Sequence, residues 1–145
     1  MKIFFAIAIS LFFTTPAWLT DFDAARNTAA QEHKFIVLNF SGSDWCAPCI
    51  KMEQEVFESE EFQSVAEKEL VLVRADFPRL KKNKLPEEQT KHNEILAEKY
   101  NPTGKFPLTV LLDVNGKVIK EWEGYAFGSH GKFIADLQQT LVTQK

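Results

Sequence analysis

The chain is poor in cysteine: its 145 residues hold two, Cys46 and Cys49. A small exported domain stapled by disulfides carries several well-separated cysteines, so that architecture is excluded. The fold must rest on an apolar core, which frees both sulfurs for chemistry. Basic charge is not in excess either. The 17 Lys and Arg face 20 Asp and Glu, for a net charge of -3, so no broad basic surface for nucleic acid is expected. The apolar run near the start falls short of the ~20 residues that a membrane-spanning helix needs. The three histidines, His33, His92 and His130, are scattered singly. A zinc site usually takes four ligands, so metal binding is the weaker reading of the cysteine pair. No flavin or nucleotide motif is present, and no cofactor is expected.

What is present begins with an export signal. Lys2 supplies a short positive start, and Ile3 to Phe13 is almost wholly apolar. Thr15-Pro16-Ala17 offers small residues at the spacing a signal peptidase accepts. Residues 1–17 therefore read as a signal peptide cut after Ala17, and 18–145 as one domain. An uncleaved anchor or a buried first strand are the alternatives. Export places the chain in the periplasm or outside the cell, with no stable membrane insertion after cleavage, in a compartment where disulfides persist.

Along the domain, Asp21 can cap a helix with Phe22, Ala25, Ala29 and Ala30 on one side, ending near His33. Phe35 to Phe40 is a nearly continuous apolar run, the pattern of a central strand buried on both faces. Cys49, Met52 and Val56 recur at helical spacing, and Ser59 can cap a further helix through Phe62, Val65 and Ala66. Leu70 to Asp76 is the next strand. Pro78 to Lys91 is polar and charged and reads as a surface excursion, most simply solvated, with partner docking as its alternative. Ile95, Leu96 and Tyr100 mark a short helix stopped by Pro102 and Gly104. Asn115-Gly116 between two β-rich runs, 107–112 and 117–122, is a hairpin signal. Gly128 and Ser129 open a last helix carrying Phe133, Leu137 and Leu141. A strand–helix–strand unit followed by a hairpin implies an α/β fold: a mixed central sheet with helices on both faces.

Trp45-Cys46-Ala47-Pro48-Cys49 stands where a buried strand gives way to a helix. The first turn of a helix has free N–H groups and the positive end of the dipole, which eases ionisation of a thiol. Only the thiolate attacks a disulfide. Cys46 is expected at this exposed position, with Cys49 one turn further in and within reach of it. Pro48 suits an early helical position, where its missing N–H costs nothing. A purely structural bridge is the bland alternative, but a three-residue loop closes little chain entropy.

With these residues in view, the domain resembles the thioredoxin superfamily from Trp18 to the last helix. Trp45-Cys46-Ala47-Pro48-Cys49 resembles that family's active site, and Phe106-Pro107-Leu108-Thr109 its loop with a cis proline beside the sulfurs. Asn115-Gly116-Lys117 resembles the turn between its last two strands, and Gly124 the glycine of its substrate-facing loop. The resemblance implies a three-layer thioredoxin-like fold, a cis Pro107, and a substrate surface formed by Trp45, Ala47, Pro48, Phe106, Pro107 and Gly124. The alternative for Trp45 is plain core packing, and for Pro107 a trans bond at a strand's first residue. Asn39 stands where many relatives carry a buried Asp, Asp44 is a nearby acid that can substitute through water, cap the helix or be solvated, and the helix after Cys49 lacks the proline that kinks it in many relatives. Phe106 is bulky for its place. Ser41-Gly42-Ser43-Asp44-Trp45 looks like small exported bacterial members.

The expected function is thiol–disulfide exchange on disulfide-containing proteins, with electrons from an upstream thiol donor. Ala47-Pro48 supplies no charge to stabilise a thiolate, which favours a reductant over a strong oxidant. An isomerase or oxidase, and a non-enzymatic binding module with an inert disulfide, are the competing readings.

Overall fold

A computed structural model describes residues 15–145. Most of the expected signal segment, residues 1–14, lies outside the described residues. Five strands form one sheet: β1 (Trp18–Leu19), β2 (Phe35–Ser41), β3 (Leu70–Asp76), β4 (Leu108–Leu112) and β5 (Val118–Glu123). Their order is β1-β3-β2-β4-β5. β1 and β2 run parallel to β3, and β4 runs antiparallel to both β2 and β5. The mixed sheet expected from the sequence is present, with β1 as an addition. Two residues are too few to show any alternation, and only the pairing of Trp18 with Leu72 reveals them as an edge strand.

The period-two alternation of β2 divides the core. Ile36, Leu38 and Phe40 face α1 (Phe22–Glu32) and α4 (Glu87–Tyr100) through Phe22, Ala25, Ala29, Leu96 and Tyr100. Val37 faces the opposite layer, built from α2 (Ala47–Met52), a π-helical turn (Glu53–Phe57), α3 (Glu60–Glu69) and α5 (His130–Thr143). That layer holds Met52, Phe57, Phe62, Ile134 and Leu137, all buried. Phe57 is its centre, with ring centroids of Trp18, Phe62 and Phe133 at 5.0, 5.1 and 6.4 Å. The Arg74 guanidinium lies 4.0 Å over the Trp18 ring and pairs with Glu53, tying the sheet edge to the π-turn.

Local signals act as expected at several ends. Asp21 caps α1 by accepting the Ala24 N–H, and Ser59 caps α3 by accepting that of Phe62. His33 closes α1 in the left-handed region, at φ 55°. Other expectations need correction. Ala30 is exposed rather than part of the buried side of α1. The excursion from Pro78 is shorter than expected: a single 3-10 turn spans Lys81–Asn83, and α4 begins at Glu87, directly after Pro86. Its first turns carry Glu87, Glu88 and Lys91 on the surface, so no apolar period announces them. Ile95 of this helix is 56% exposed. Ser129 precedes α5 without a side-chain cap. Between Cys49 and Ser59 the helix accommodates itself through the π-turn, in the absence of a kinking proline.

Candidate active site

Cys46 is the N-cap of α2, in extended backbone geometry, and its Sγ accepts the Cys49 N–H at 3.3 Å. Ala47 and Pro48 occupy the first helical positions, where the proline leaves no donor unmet. The Cys46 N–H donates to the Gly42 carbonyl at 2.9 Å, and the Cys46 carbonyl accepts from Ile50 at 3.1 Å. The two sulfurs are joined as a disulfide, with Cα atoms 5.2 Å apart. One feature departs from expectation: Cys46 is not openly exposed but 5% accessible, the same as Cys49. The bond to Cys49 and the capping interaction turn its sulfur inward along the helix end.

Trp45 is half-buried and oriented by three contacts. Its indole Nε1 donates to the Phe77 carbonyl at 2.7 Å, its ring meets Phe106 edge-on at 5.5 Å, and the Arg79 guanidinium stacks 3.6 Å from its centroid. The indole also packs directly against Gly42. A Cβ there would meet Nε1 at 2.6 Å and two ring carbons closer still, a separation that no side chain tolerates. Phe77 completes an aromatic group with Phe106 at 5.5 Å.

The Phe106–Pro107 peptide bond is cis. The Pro107 carbonyl accepts the Gly124 N–H at 2.8 Å, and Gly124 has φ 68°, a region that favours glycine. The loop before β4 and the loop after β5 are thereby linked. Beyond Gly124, Glu55 of the π-turn accepts the Tyr125 hydroxyl at 2.5 Å and the Gly128 N–H at 2.8 Å. The Tyr125 hydroxyl and the Gly128 N–H hold the Glu55 carboxyl below the usual carboxylate range. Tyr125 is pushed up to about 12 by burial and then by Glu55. A groove of about 450 Å³ adjoins this loop between β5 and α5. Part of its polar wall is paired within the chain, since Asp136 accepts from Trp122 Nε1 at 2.7 Å and Lys120 Nζ at 2.6 Å.

Beneath the helix, Asn39 is 2% exposed and donates from Nδ2 to Thr109 Oγ1 at 3.0 Å. The Thr109 hydroxyl lies 3.8 Å from Met52 Sδ. The buried position therefore carries a neutral amide already satisfied by β4, not a proton acceptor. Asp44 does not cap the motif helix, whose N-cap is Cys46, and it stands partly exposed. Its carboxylate accepts the Arg79 and Leu80 N–H groups at 2.9 and 3.0 Å and the Asn83 amide at 2.9 Å. These donors, Arg79 foremost, lower its pKa. It is an anchor for the following loop, a role that sequence spacing of 35 residues or more concealed. The three histidines sit at the end of α1, on α4 and at the start of α5, and among the described residues no group of three or more His, Cys, Asp or Glu is arranged to hold a metal ion.

This fold, with a Cys-x-x-Cys disulfide at the start of a helix beside a cis-proline loop, agrees with the comparisons. A thioredoxin-like domain profile matches residues 22–140. The chain belongs to the thioredoxin-like family. Among its relatives is the disulfide bond reductase DsbH of Chlamydia pneumoniae, 40% identical over 117 residues that cover 81% of this chain and 68% of that protein. A solved DsbH oxidoreductase structure superposes with TM-score 0.76 at 30% identity, covering 97% of this chain and 94% of that one. The oxidised C-terminal domain of Neisseria meningitidis DsbD, 24% identical, shares the fold at TM-score 0.60, covering 86% of this chain and 99% of that one. Within this thioredoxin-like frame, Trp45, Phe106, Pro107 and Gly124 lie on connected loops, whereas Ala47 and Pro48 lie on the helix between the sulfurs.

Proposed function

We propose that this chain is an exported protein-disulfide reductase, with Cys46 as nucleophile and Cys49 as resolving thiol. The observation that carries the reading is the Cys46–Cys49 disulfide at the start of α2 in a thioredoxin-like chain 40% identical to a disulfide bond reductase. In the reduced protein, the Cys46 thiolate attacks one sulfur of a substrate disulfide. A mixed disulfide forms and the substrate's other sulfur leaves as a thiolate. The Cys49 thiolate then attacks the Cys46 sulfur, releasing the second substrate thiol and forming the intramolecular disulfide. Two electrons have passed to the substrate, and an upstream dithiol protein must restore them by the reverse exchange.

The N-cap position supports Cys46 as the attacking group, because unpaired N–H groups at a helix start favour a thiolate. Trp45, Ala47, Pro48, Phe106, Pro107 and Gly124 form the substrate surface in this reading. The backbone of Phe106, outside the strand and next to Pro107, offers an extended substrate segment a place to pair. The signal peptide of residues 1–17, cleavage after Ala17, a mature domain of 18–145 and a periplasmic-type location complete the proposal. N-terminal sequencing of exported protein beginning at Trp18 checks the cut.

The test is insulin disulfide reduction with a dithiol donor. Cys46→Ser abolishes turnover, and Cys49→Ser traps the mixed disulfide. Full activity in Cys46→Ser overturns the assignment. The direction of electron flow is read from the couple's potential: a value around -270 mV marks a reductant and one around -120 mV an oxidant.

A further inference from the structure

Residues 79–84, Arg-Leu-Lys-Lys-Asn-Lys, are all exposed and carry four cations without an acid among them. None of the four forms an ion pair among the described residues. The whole chain carries -3, so with these four set aside the remainder carries -7. A compact basic patch thus stands on an otherwise acidic molecule.

The patch is built, not loose. The Asp44 carboxylate holds the Arg79 and Leu80 N–H groups and the Asn83 side chain. Trp45 Nε1 holds the Phe77 carbonyl, and Asp76 accepts both the backbone N–H and the hydroxyl of Ser43. The Arg79 guanidinium lies on the ring of Trp45, the residue next to Cys46. Like charges on a short fixed loop repel one another, and the Asp44 carboxylate beneath the loop and the ring under Arg79 offset that cost only in part, leaving the three lysines without an ion-pair partner among the described residues. Their fixed place beside the disulfide gives it a use.

We propose that this loop is a selectivity surface that docks substrate or donor proteins whose reactive cysteines are flanked by acidic residues. This rests on the thiol–disulfide exchange reading above. Leu80, 48% exposed among the cations, supplies an apolar contact within the charged ring, so the matching segment carries an apolar side chain between its acids. A small acidic segment fits better than an extended polyanion or an anionic membrane, because the acidic remainder of the surface repels any broad negative partner. The cations raise the encounter rate and orient the partner's disulfide toward Cys46.

The test is single-turnover oxidation of pre-reduced protein by three disulfide peptides of equal length, flanked by Asp and Glu, by Ser, or by Lys. At low ionic strength the acidic peptide reacts about tenfold faster than the serine peptide, with the lysine peptide slowest. The differences collapse near ~0.5 M salt. The K81E/K82E/K84E variant reverses the order while its rate with the neutral hydroxyethyl disulfide stays unchanged. Equal rates for the three peptides overturn the proposal. The same peptides with serine in place of cysteine are titrated in parallel, with backbone amide shifts of residues 79–84 as readout. If the protein reduces no disulfide at all, the redox reading fails, and these shifts still decide the charge preference. Lysine-dependent binding to phosphatidylglycerol vesicles without peptide discrimination assigns the patch to lipid and overturns the proposal.

Discussion

The two loops that flank the disulfide are each fastened by a single carboxylate, but they present opposite surfaces. On one side Asp44, next to Trp45 in the chain, clamps residues 79–83. On the other Glu55, beyond Cys49 on the π-turn, clamps Tyr125 and Gly128. Both acids are held ionised by the groups they accept from, Asp44 chiefly by the Arg79 N–H and Glu55 chiefly by the Tyr125 hydroxyl. The first loop displays four cations around Leu80. The second displays Phe127, 62% exposed, and has no cation until Lys132. The same fastening device serves a charged rim and an apolar one, so the loops differ in what they offer a partner rather than in how they are held.

The two loops part most visibly at Asp44. Asp44→Ala leaves two backbone donors and one side-chain amide without an acceptor, and amide hydrogen exchange at Arg79 and Leu80 rises about tenfold or more. Unchanged exchange there means that Trp45 and Asp76 suffice to hold the loop. Glu55→Gln is milder, because both bonds fall on one oxygen and an amide oxygen there can still accept them, without the charge. Exchange at Gly128 rises by a factor of about three, with residues 79–83 undisturbed. A response in both loops contradicts their independence.

Tyr125 sharpens the comparison at alkaline pH, where only the Glu55 loop carries a titrating hydroxyl. Its folded pKa of about 12 lies above the ordinary 10.0. The native state therefore holds its proton more tightly, and the stabilisation is complete below pH 10 and disappears as pH rises toward 12. Ultraviolet titration of the tyrosinate band detects the raised value, and Glu55→Gln moves it back toward 10.0 without reaching it, since burial persists. In acid the sign reverses. The lowered carboxyl values mean that both clamps are intact above the reference values, 3.8 for Asp44 and 4.5 for Glu55. They let go as pH falls through the still lower folded values. Amide shifts of both loops stay flat down to about pH 5, and movement above that point rules out carboxylate protonation as the release step.

Much of this molecule was legible because its signals are local. The cysteine pair, the caps at Asp21 and Ser59, the four strands β2 to β5 and the Asn115-Gly116 turn all depend on neighbours in sequence. The features that escaped depend on distant partners. β1 is two residues paired to β3, the early turns of α4 are polar on the outside, and the π-turn has no residue signature of its own. Asp44 reads as a generic acid until residues 79–83 are folded against it. The inward-turned sulfur of Cys46 also escaped, because the end of a helix suggests openness while its capping bond and disulfide draw the atom back.

The seat that Gly42 provides for the indole of Trp45 has an engineering corollary. The requirement is one of room, since only the missing side chain lets the ring lie where it does. Exchanging residue 42 for even alanine evicts the ring and with it the stacked Arg79. Ala47, exposed, and Pro48, half-buried, stand instead at the first helical positions between the sulfurs. Efforts to retune the couple's potential therefore belong between the sulfurs, and efforts to disturb the proposed partner surface belong at a glycine four residues upstream of the first one.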